Sequence, residues 1–258
     1  CFNTAEYLIN AHQPDVMYIH LVVIDHVRHQ NGVFSAEIKR SYEFLDKGFG
    51  QILDALRKNG LEDRTIINVT SDHGHLDIKK VISVNRLFRD NGLITVDENG
   101  KLKDWKAYLH TCSLSGHVYI KDHDPEVTAQ VEKLLCDNRD ILELEHLYTR
   151  EEVKELYHLD GDFTFVMESY GNASYSSNFN ADLITPTSGG SYRTSKATHG
   201  HAPYKGVQPA FFLRNPFTDK KVILPEGRIV DQAPTLAKLM GFTMTTCDGK
   251  PIPELLEE

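Results

Sequence analysis

Two apolar segments rich in strand-forming residues flank a stretch with helical periodicity near the start of the chain. Residues 15–24 are almost continuously apolar, as is typical of a strand buried on both faces, and residues 64–70 form a second such run. Between them, apolar residues recur three or four positions apart from Ile38 to Leu56, which predicts a helix that ends near Gly60. Because a strand, a crossover helix and a strand form a βαβ unit, the pattern predicts two parallel strands in an α/β fold.

The middle of the chain is more polar and has its own pattern of elements. Residues 116–121 and 162–168 predict short strands. Asp124 is a candidate N-cap for one helix, and Thr149 begins a capping box for another. Residues 169–196 are rich in serine, asparagine, glycine and threonine, which is typical of an irregular loop.

The pattern of the core returns near the end of the chain. Residues 209–214 predict a strand, and Asp231 can cap a following helix that Gly241 closes. The sequence therefore predicts two parts, an α/β core and an inserted α+β unit that resembles a cap, with the core at 1–92 and 191–258 and the insert at 93–190.

Charge and composition exclude several classes of protein. The chain has 28 Lys and Arg against 37 Asp and Glu, a net charge of −9, whereas a surface that wraps nucleic acid needs an excess of basic residues. No apolar run approaches the roughly 18–20 residues that span a bilayer, so the sequence predicts no transmembrane helix. The cysteines are scattered and form no CxxC pair, which argues against a disulfide framework; they are Cys1, Cys112, Cys136 and Cys247.

Three clusters of aspartate and histidine follow predicted strands or lie in a late loop. They contain Asp25 with His29, Asp72 with His73, and His199. Open α/β sheets place their sites at the carboxyl ends of strands, so the first two clusters are expected to meet at one edge. Carboxylate and imidazole ligands suit zinc or manganese, and the absence of cysteine from the clusters favours an open, catalytic site over a structural one.

The order of these motifs resembles the alkaline-phosphatase superfamily, and within it the type I phosphodiesterase/nucleotide pyrophosphatase family. The resemblance runs from about residue 15 to 256 through "IDHVRHQNG", "TSDHGH", "THGHAPYKG", "PAFF" and "VDQAPTLAKLMG". It implies a three-layer α/β/α fold with a mainly parallel sheet, and a site in which two divalent ions, zinc or alternatively manganese, promote the hydrolysis of a phosphoric ester. By the resemblance, one ion is held by Asp25, His29 and His199, and the other is held in part by Asp72 and His73.

The family pattern also has parts that precede Asp25. In the family, a further Asp ligand follows an earlier strand, and a Thr or Ser nucleophile opens a helix soon after it. The residues ahead of Asp25 contain no such pair. The start at Cys1 therefore predicts a C-terminal portion of an enzyme, without the catalytic nucleophile, that binds metal but hydrolyses phosphodiesters slowly or not at all.

Three further histidines lie beside the predicted ligands. His26, His75 and His201 are predicted either to support the ligands and face the substrate, or simply to lie at the surface. Two other functions stay open. A phosphomonoesterase, phosphomutase or sulfatase of the same superfamily would use similar ligands, and a catalytically silent metal-binding module would retain them. The implied substrate is a small phosphate ester or nucleotide; the oligomeric state and the compartment stay open.

Overall fold

A computed structural model of the chain describes residues 1–189 and 195–256. Helices and strands are both present, which confirms the α/β class. The α-helices are α1 (Phe2–His12), α2 (Val23–Asn31), α3 (Ala36–Lys58), α4 (Val84–Asp90), α5 (Pro125–Asp137), α6 (Arg150–Tyr157) and α7 (Gln232–Leu239). The strands are β1 (Ile67–Thr70), β2 (Leu76–Asp77), β3 (Lys80–Ser83), β4 (Ile94–Val96), β5 (Leu102–Trp105), β6 (Ala107–Cys112), β7 (Ser115–Ile120), β8 (Leu144–Thr149), β9 (Phe165–Ser169), β10 (Ala173–Ser176), β11 (Ile184–Pro186), β12 (Ala197–Thr198) and β13 (Phe211–Arg214). Short 3-10 turns lie at Glu62–Arg64, Lys121–His123, Ile229–Asp231 and Pro253–Leu255.

The strands pair in several small sheets rather than in one wide sheet. Their orders are β6-β7-β9-β8, β10-β3-β11, β12-β2, β4-β5 and β1-β13. Within the described residues, β3 and β10 form the one parallel pair, and the other pairs are antiparallel. The pairing thus differs from the mainly parallel sheet that was expected. Short connections such as that between β6 and β7 can join only antiparallel strands.

The strand predicted at residues 15–24 is wrong. Residues 15–22 belong to no strand, Tyr18 is 90% exposed, and the end of the apolar run forms the start of α2. A strand needs a neighbour that satisfies its backbone hydrogen bonds, and an apolar run does not by itself supply one. The predicted parallel βαβ unit is therefore absent from the described residues, and β1 pairs antiparallel with β13 instead.

The predicted helix between the two segments is confirmed as α3. The helix ends at a glycine in the left-handed conformation, as predicted. Gly60 adopts φ +65°, and its N–H donates to the Arg57 carbonyl. The N–H of Leu61 donates to the Leu56 carbonyl, which completes a Schellman motif. Gly241 closes α7 in the same way, with φ +82°.

The elements predicted in the middle of the chain are largely confirmed. The Asp124 side chain accepts hydrogen bonds from the backbone N–H groups of Glu126 and Val127 at the start of α5. Thr149 and Glu152 form the predicted capping box of α6. The loop predicted at 169–196 is partly wrong because it contains β10 and β11, which pair on either side of β3; its residues 190–194 lie outside the described residues.

The chain divides into two compact units. The first unit comprises Cys1–Phe2, Val16–Gly50 and His73–Gln208, and the second comprises Asn3–Asp15, Gln51–Asp72 and Pro209–Glu258. In the first unit, the four-stranded sheet contributes Leu109 and Met167 to a core that also contains Val131 and Leu135 of α5, and all four are fully buried. The second unit contains the β1-β13 sheet and α7. The division predicted at residues 93–190 stays a prediction, and its later boundary lies outside the described residues. Across those residues, no helix combines the length and the apolar character that crossing a membrane requires.

Candidate metal centre

Helix α2 carries two of the predicted ligands on one face. Asp25 lies in its first turn and His29 four residues later, so their side chains are neighbours on the helix surface. The Nε2 atom of His29 lies 3.2 Å from Oδ1 of Asp25. His29 is buried and Asp25 is half-buried. Because Asp25 lies in the first turn of α2, its carboxylate lies near the positive end of the helix dipole, where a negative charge is favoured.

The pairing of β2 with β12 brings together two histidines from distant parts of the chain. These strands are antiparallel, with Leu76 opposite Thr198. One further step along the same register places His75, which precedes β2, opposite His199, which follows β12. Their ring centroids are 5.4 Å apart at an interplanar angle of 80°.

The carboxylate of Asp25 contacts this pair of imidazoles. Its Oδ1 lies 3.0 Å from Nε2 of His75 and 3.7 Å from Nε2 of His199. The ring of His73 stacks on that of His199, with 3.8 Å between the centroids. One candidate ligand atom from each of these four residues lies within 4.8 Å of all the others.

The geometry and the donor set of this group fit a divalent transition-metal ion. Three imidazole nitrogens and one carboxylate oxygen are ligands that zinc and manganese accept. Ligand atoms roughly 2.0–2.2 Å from one tetrahedral ion are about 3.3–3.6 Å apart. The candidate ligand atoms lie within 4.8 Å of one another, so binding an ion would draw these side chains closer together.

The protonation states also suit metal ligands. Burial lowers the pKa of His75 to about 4, although its hydrogen bond to Asp25 opposes this shift. Burial likewise lowers the pKa of His29, against the attraction of Asp25. Burial would raise the pKa of the Asp25 carboxyl, but the histidines around it, His29 foremost, lower it by more. At neutral pH the two imidazoles are thus uncharged and the carboxylate is ionised, as metal binding requires.

Ser195 supports the site and was missed by the sequence reasoning. Its Oγ lies 3.2 Å from Nδ1 of His29, and Ser195 is buried. A partner on Nδ1 fixes the ring so that Nε2 faces Asp25, which is the usual role of a partner behind a metal-binding histidine. No sequence signal marks Ser195, because its proximity to α2 depends on the tertiary fold.

The remaining predicted residues are His26, Asp72 and His201. His26 is exposed on α2, and Asp72 is exposed in the second unit, after β1. His201 is half-buried and lines a cavity of about 160 Å³ together with Glu168. Within the first unit, the structure brings together Asp25, His29, His73, His75 and His199. Their roles as ligands stay predictions.

The chain is similar to one family of enzymes and to several solved structures. The family model described as type I phosphodiesterase/nucleotide pyrophosphatase matches residues 2–215. The structure of human ectonucleotide pyrophosphatase/phosphodiesterase 5 superposes with a TM-score of 0.68 at 16% identity, covering 97% of this chain and 62% of that one. The murine counterpart gives a TM-score of 0.65 at 16% identity, covering 96% of this chain and 60% of that one.

An inactive form of the murine protein, in complex with AMP, gives a TM-score of 0.58 at 16% identity and covers 84% of this chain and 52% of that one. The chain thus spans between 52% and 62% of the length of these structures. No curated protein matches it significantly. The likeness confirms the alkaline-phosphatase-like fold.

Proposed function

The chain belongs to the type I phosphodiesterase/nucleotide pyrophosphatase family, and on that premise we propose that it acts in the metal-dependent hydrolysis of a phosphoric ester. The proposed substrate is a small phosphate ester of the nucleotide type. The proposed cofactors are two divalent cations, zinc or alternatively manganese. Their proposed ligands in this chain are Asp25, His29 and His199 for one ion, and Asp72 and His73 for the other.

The observation that carries the proposal is the proximity of one carboxylate and three imidazoles, whose candidate ligand atoms all lie within 4.8 Å of one another. A bound divalent ion would supply positive charge that neutralises the oxygens of a phosphoryl group. The residues of the chain orient that charge. Asp25 provides the negative ligand, His199 and His73 provide stacked imidazoles, and Ser195 holds the ring of His29 in place.

We also propose that these 258 residues turn over phosphodiesters slowly. The resemblance assigns the attacking hydroxyl to a Thr or Ser that opens a helix ahead of Asp25. No residue of this chain is assigned that role. We therefore expect the chain to bind the metal and the ester but to hydrolyse the ester slowly.

The proposal predicts metal-dependent binding of AMP with little hydrolysis of diesters. We expect the chelator-stripped chain to bind AMP only after Zn²⁺ or Mn²⁺ is returned, as measured by calorimetry. We expect bis-p-nitrophenyl phosphate to be cleaved slowly, and faster than p-nitrophenyl phosphate or p-nitrophenyl sulfate. In His199→Ala, the return of Zn²⁺ or Mn²⁺ should no longer restore the binding of AMP.

Each contrary result has a definite meaning. A preference for the monoester or the sulfate would favour the other branches of the superfamily. AMP binding that ignores the metal would contradict the proposed site. Rapid cleavage of the diester would refute the proposal of slow turnover. Metal binding with neither AMP binding nor any cleavage would favour a silent metal-binding module.

We further propose that His75 contributes to metal binding. It is 3% exposed, and its Nδ1 is a buried atom without a hydrogen-bond partner among the described residues. His75→Ala is expected to weaken zinc binding by about 10-fold or more, because the loss of a residue that supports a metal site typically costs at least that much affinity. His20→Ala removes an exposed histidine that precedes α2 and is the matched control, expected to leave the affinity unchanged. Equal zinc affinities for the two variants in a chelator competition would contradict the role of His75.

A further inference from the structure

The loop that carries His199 is attached to the hairpin formed by β6 and β7. The backbone N–H of Leu114, in the turn of that hairpin, donates to the carbonyl of His199 over 3.1 Å. The hydroxyl of Ser115 donates to the carbonyl of Gly200 over 2.6 Å. Leu114 is fully buried. The main chain of His199 is therefore fixed from a part of the protein that supplies no member of the four-residue group.

A buried ion cluster fixes the same loop a few residues later. Glu168 on β9 is 3% exposed, and its Oε1 accepts the backbone N–H of Ala202 over 2.9 Å. The same oxygen accepts a hydrogen bond from Nζ of Lys205 over 2.8 Å. Lys205 also contacts the carboxylate of Glu145 and the carbonyl of Ser169. The side chain of Lys205 is only 10% exposed, so these contacts are largely shielded from solvent.

Lys205 is the cation that holds the carboxylates of Glu145 and Glu168 together. Burial raises the pKa of Glu168, and the contact with Lys205 counteracts that shift. Without the ammonium group, two carboxylates would face each other with little solvent. The oxygen that fixes Ala202 would then move away from the loop, and the loop would lose the hydrogen bond that fixes it three residues after His199.

From these contacts we infer that Lys205 and Glu168 are positioning residues that set the placement of His199. The inference rests on the proposed function, because it takes His199 to be a metal ligand. Among the described contacts of Glu168 and Lys205, none is with a member of the four-residue group. Glu168 acts through Ala202, and Lys205 acts through Glu168, so both control how accurately the imidazole faces Asp25.

The test compares Lys205→Met with Lys80→Met in the full 258-residue chain. Lys80 forms a comparable, partly buried ion pair with Glu143, with 2.8 Å between Nζ and Oε1, and serves as the matched control. The first measurement needs no metal. Amide hydrogen exchange at Leu114 and Ala202 is expected to be at least about 10-fold faster in Lys205→Met, the change that follows the loss of hydrogen bonds to a charged group.

The second measurement reports on the metal. Zn²⁺ affinity is expected to fall about 10- to 100-fold in Lys205→Met, as it does when a partner behind a metal ligand is lost. The visible spectrum of the Co²⁺ form, which depends on ligand geometry, is expected to change as well. Lys80→Met should alter stability without altering either the spectrum or the affinity, because a purely structural ion pair does not reach the ligands.

The outcomes separate the two ideas. A wild-type chain that binds no zinc would contradict the proposed function, while the exchange rates would still decide whether Lys205 positions the loop. Unchanged exchange at both amides, or zinc affinity equal to that of Lys80→Met, would overturn the inference. If Lys205→Met does not fold, Glu168→Gln decides instead. That variant retains an oxygen for Ala202 but loses the charge for Lys205, and it should show faster exchange at Ala202 and about 10-fold weaker zinc binding; without these changes the inference fails.

Discussion

Asp25→Asn is expected to lower the affinity for Zn²⁺ by more than about 100-fold, beyond the roughly 10- to 100-fold cost of losing a partner behind a metal ligand. Asp25 is the carboxylate of the four-residue group. Its Oδ1 lies 3.0–3.7 Å from an imidazole nitrogen of each of His75, His29 and His199. Asparagine has nearly the same shape but no negative charge, so the ion and the imidazoles lose a charged partner at once.

The measurement is a competition titration with a chromophoric chelator. Asp104→Asn is the control, because Asp104 is an exposed carboxylate that pairs with Lys121 in a different part of the first unit. Circular dichroism should show that both variants retain the helices and strands of the wild-type chain. Zinc binding by Asp25→Asn as tight as that of the control would rule out this cluster as the metal site.

Gly200→Ala is expected both to destabilise the first unit and to abolish tight zinc binding. A β-carbon at position 200 would lie 1.9 Å from the carbonyl oxygen of Cys112, and such contacts are essentially never closer than 3.0 Å. The loop would have to move by about 1 Å, a displacement that can cost about 100-fold where geometry is critical. Gly200 also has φ +83°, a conformation that costs a residue with a side chain about 1–2 kcal/mol.

Gly241→Ala separates these two effects. Gly241 has φ +82°, almost the same as Gly200, but a β-carbon there would meet nothing within 4 Å. We expect Gly241→Ala to lose about 1–2 kcal/mol in urea unfolding and to retain its zinc affinity. Gly200→Ala should lose about 2–5 kcal/mol, because the clash adds the roughly 1–3 kcal/mol that overpacking costs to the same backbone cost. Similar losses in the two variants would mean that the contact with Cys112 is relieved without disturbing the loop.

Local signals in the sequence predicted α3, α5, α6 and α7, whereas α2 and α4 were not predicted. The periodicity of α3, the cap at Asp124 and the box formed by Thr149 and Glu152 depend on residues within a few positions of each other. The run at 15–24 failed because a strand is defined by its neighbour, and the sequence does not state which segment that neighbour is. β10 was missed for the same reason. Its residues, Ala173–Ser176, have no strong strand pattern, and their burial comes from pairing with β3.

The candidate site also contains residues that local motifs identify and residues that only the tertiary fold places. The motifs identified Asp25, His73 and His199, which the structure brings into one group. The position of His75 in that group depends on the register between β2 and β12, and the contacts of Ser195 and Lys205 depend on tertiary packing. Residue types and their order predict the chemistry of a ligand set. They do not predict which additional side chains the fold brings to it.

The short ladder between β2 and β12 also governs when the proposed ligand set can form. Between His75 and His199 the chain forms the four-stranded sheet together with α4, α5 and α6. Closing so long a segment costs entropy that is recovered only when the segment itself has folded, and contacts of this kind slow folding. An ion that binds only the assembled ligands stabilises the native state alone. Zinc uptake during refolding should therefore follow formation of that sheet, so the kinetics of metal capture report the completion of the fold.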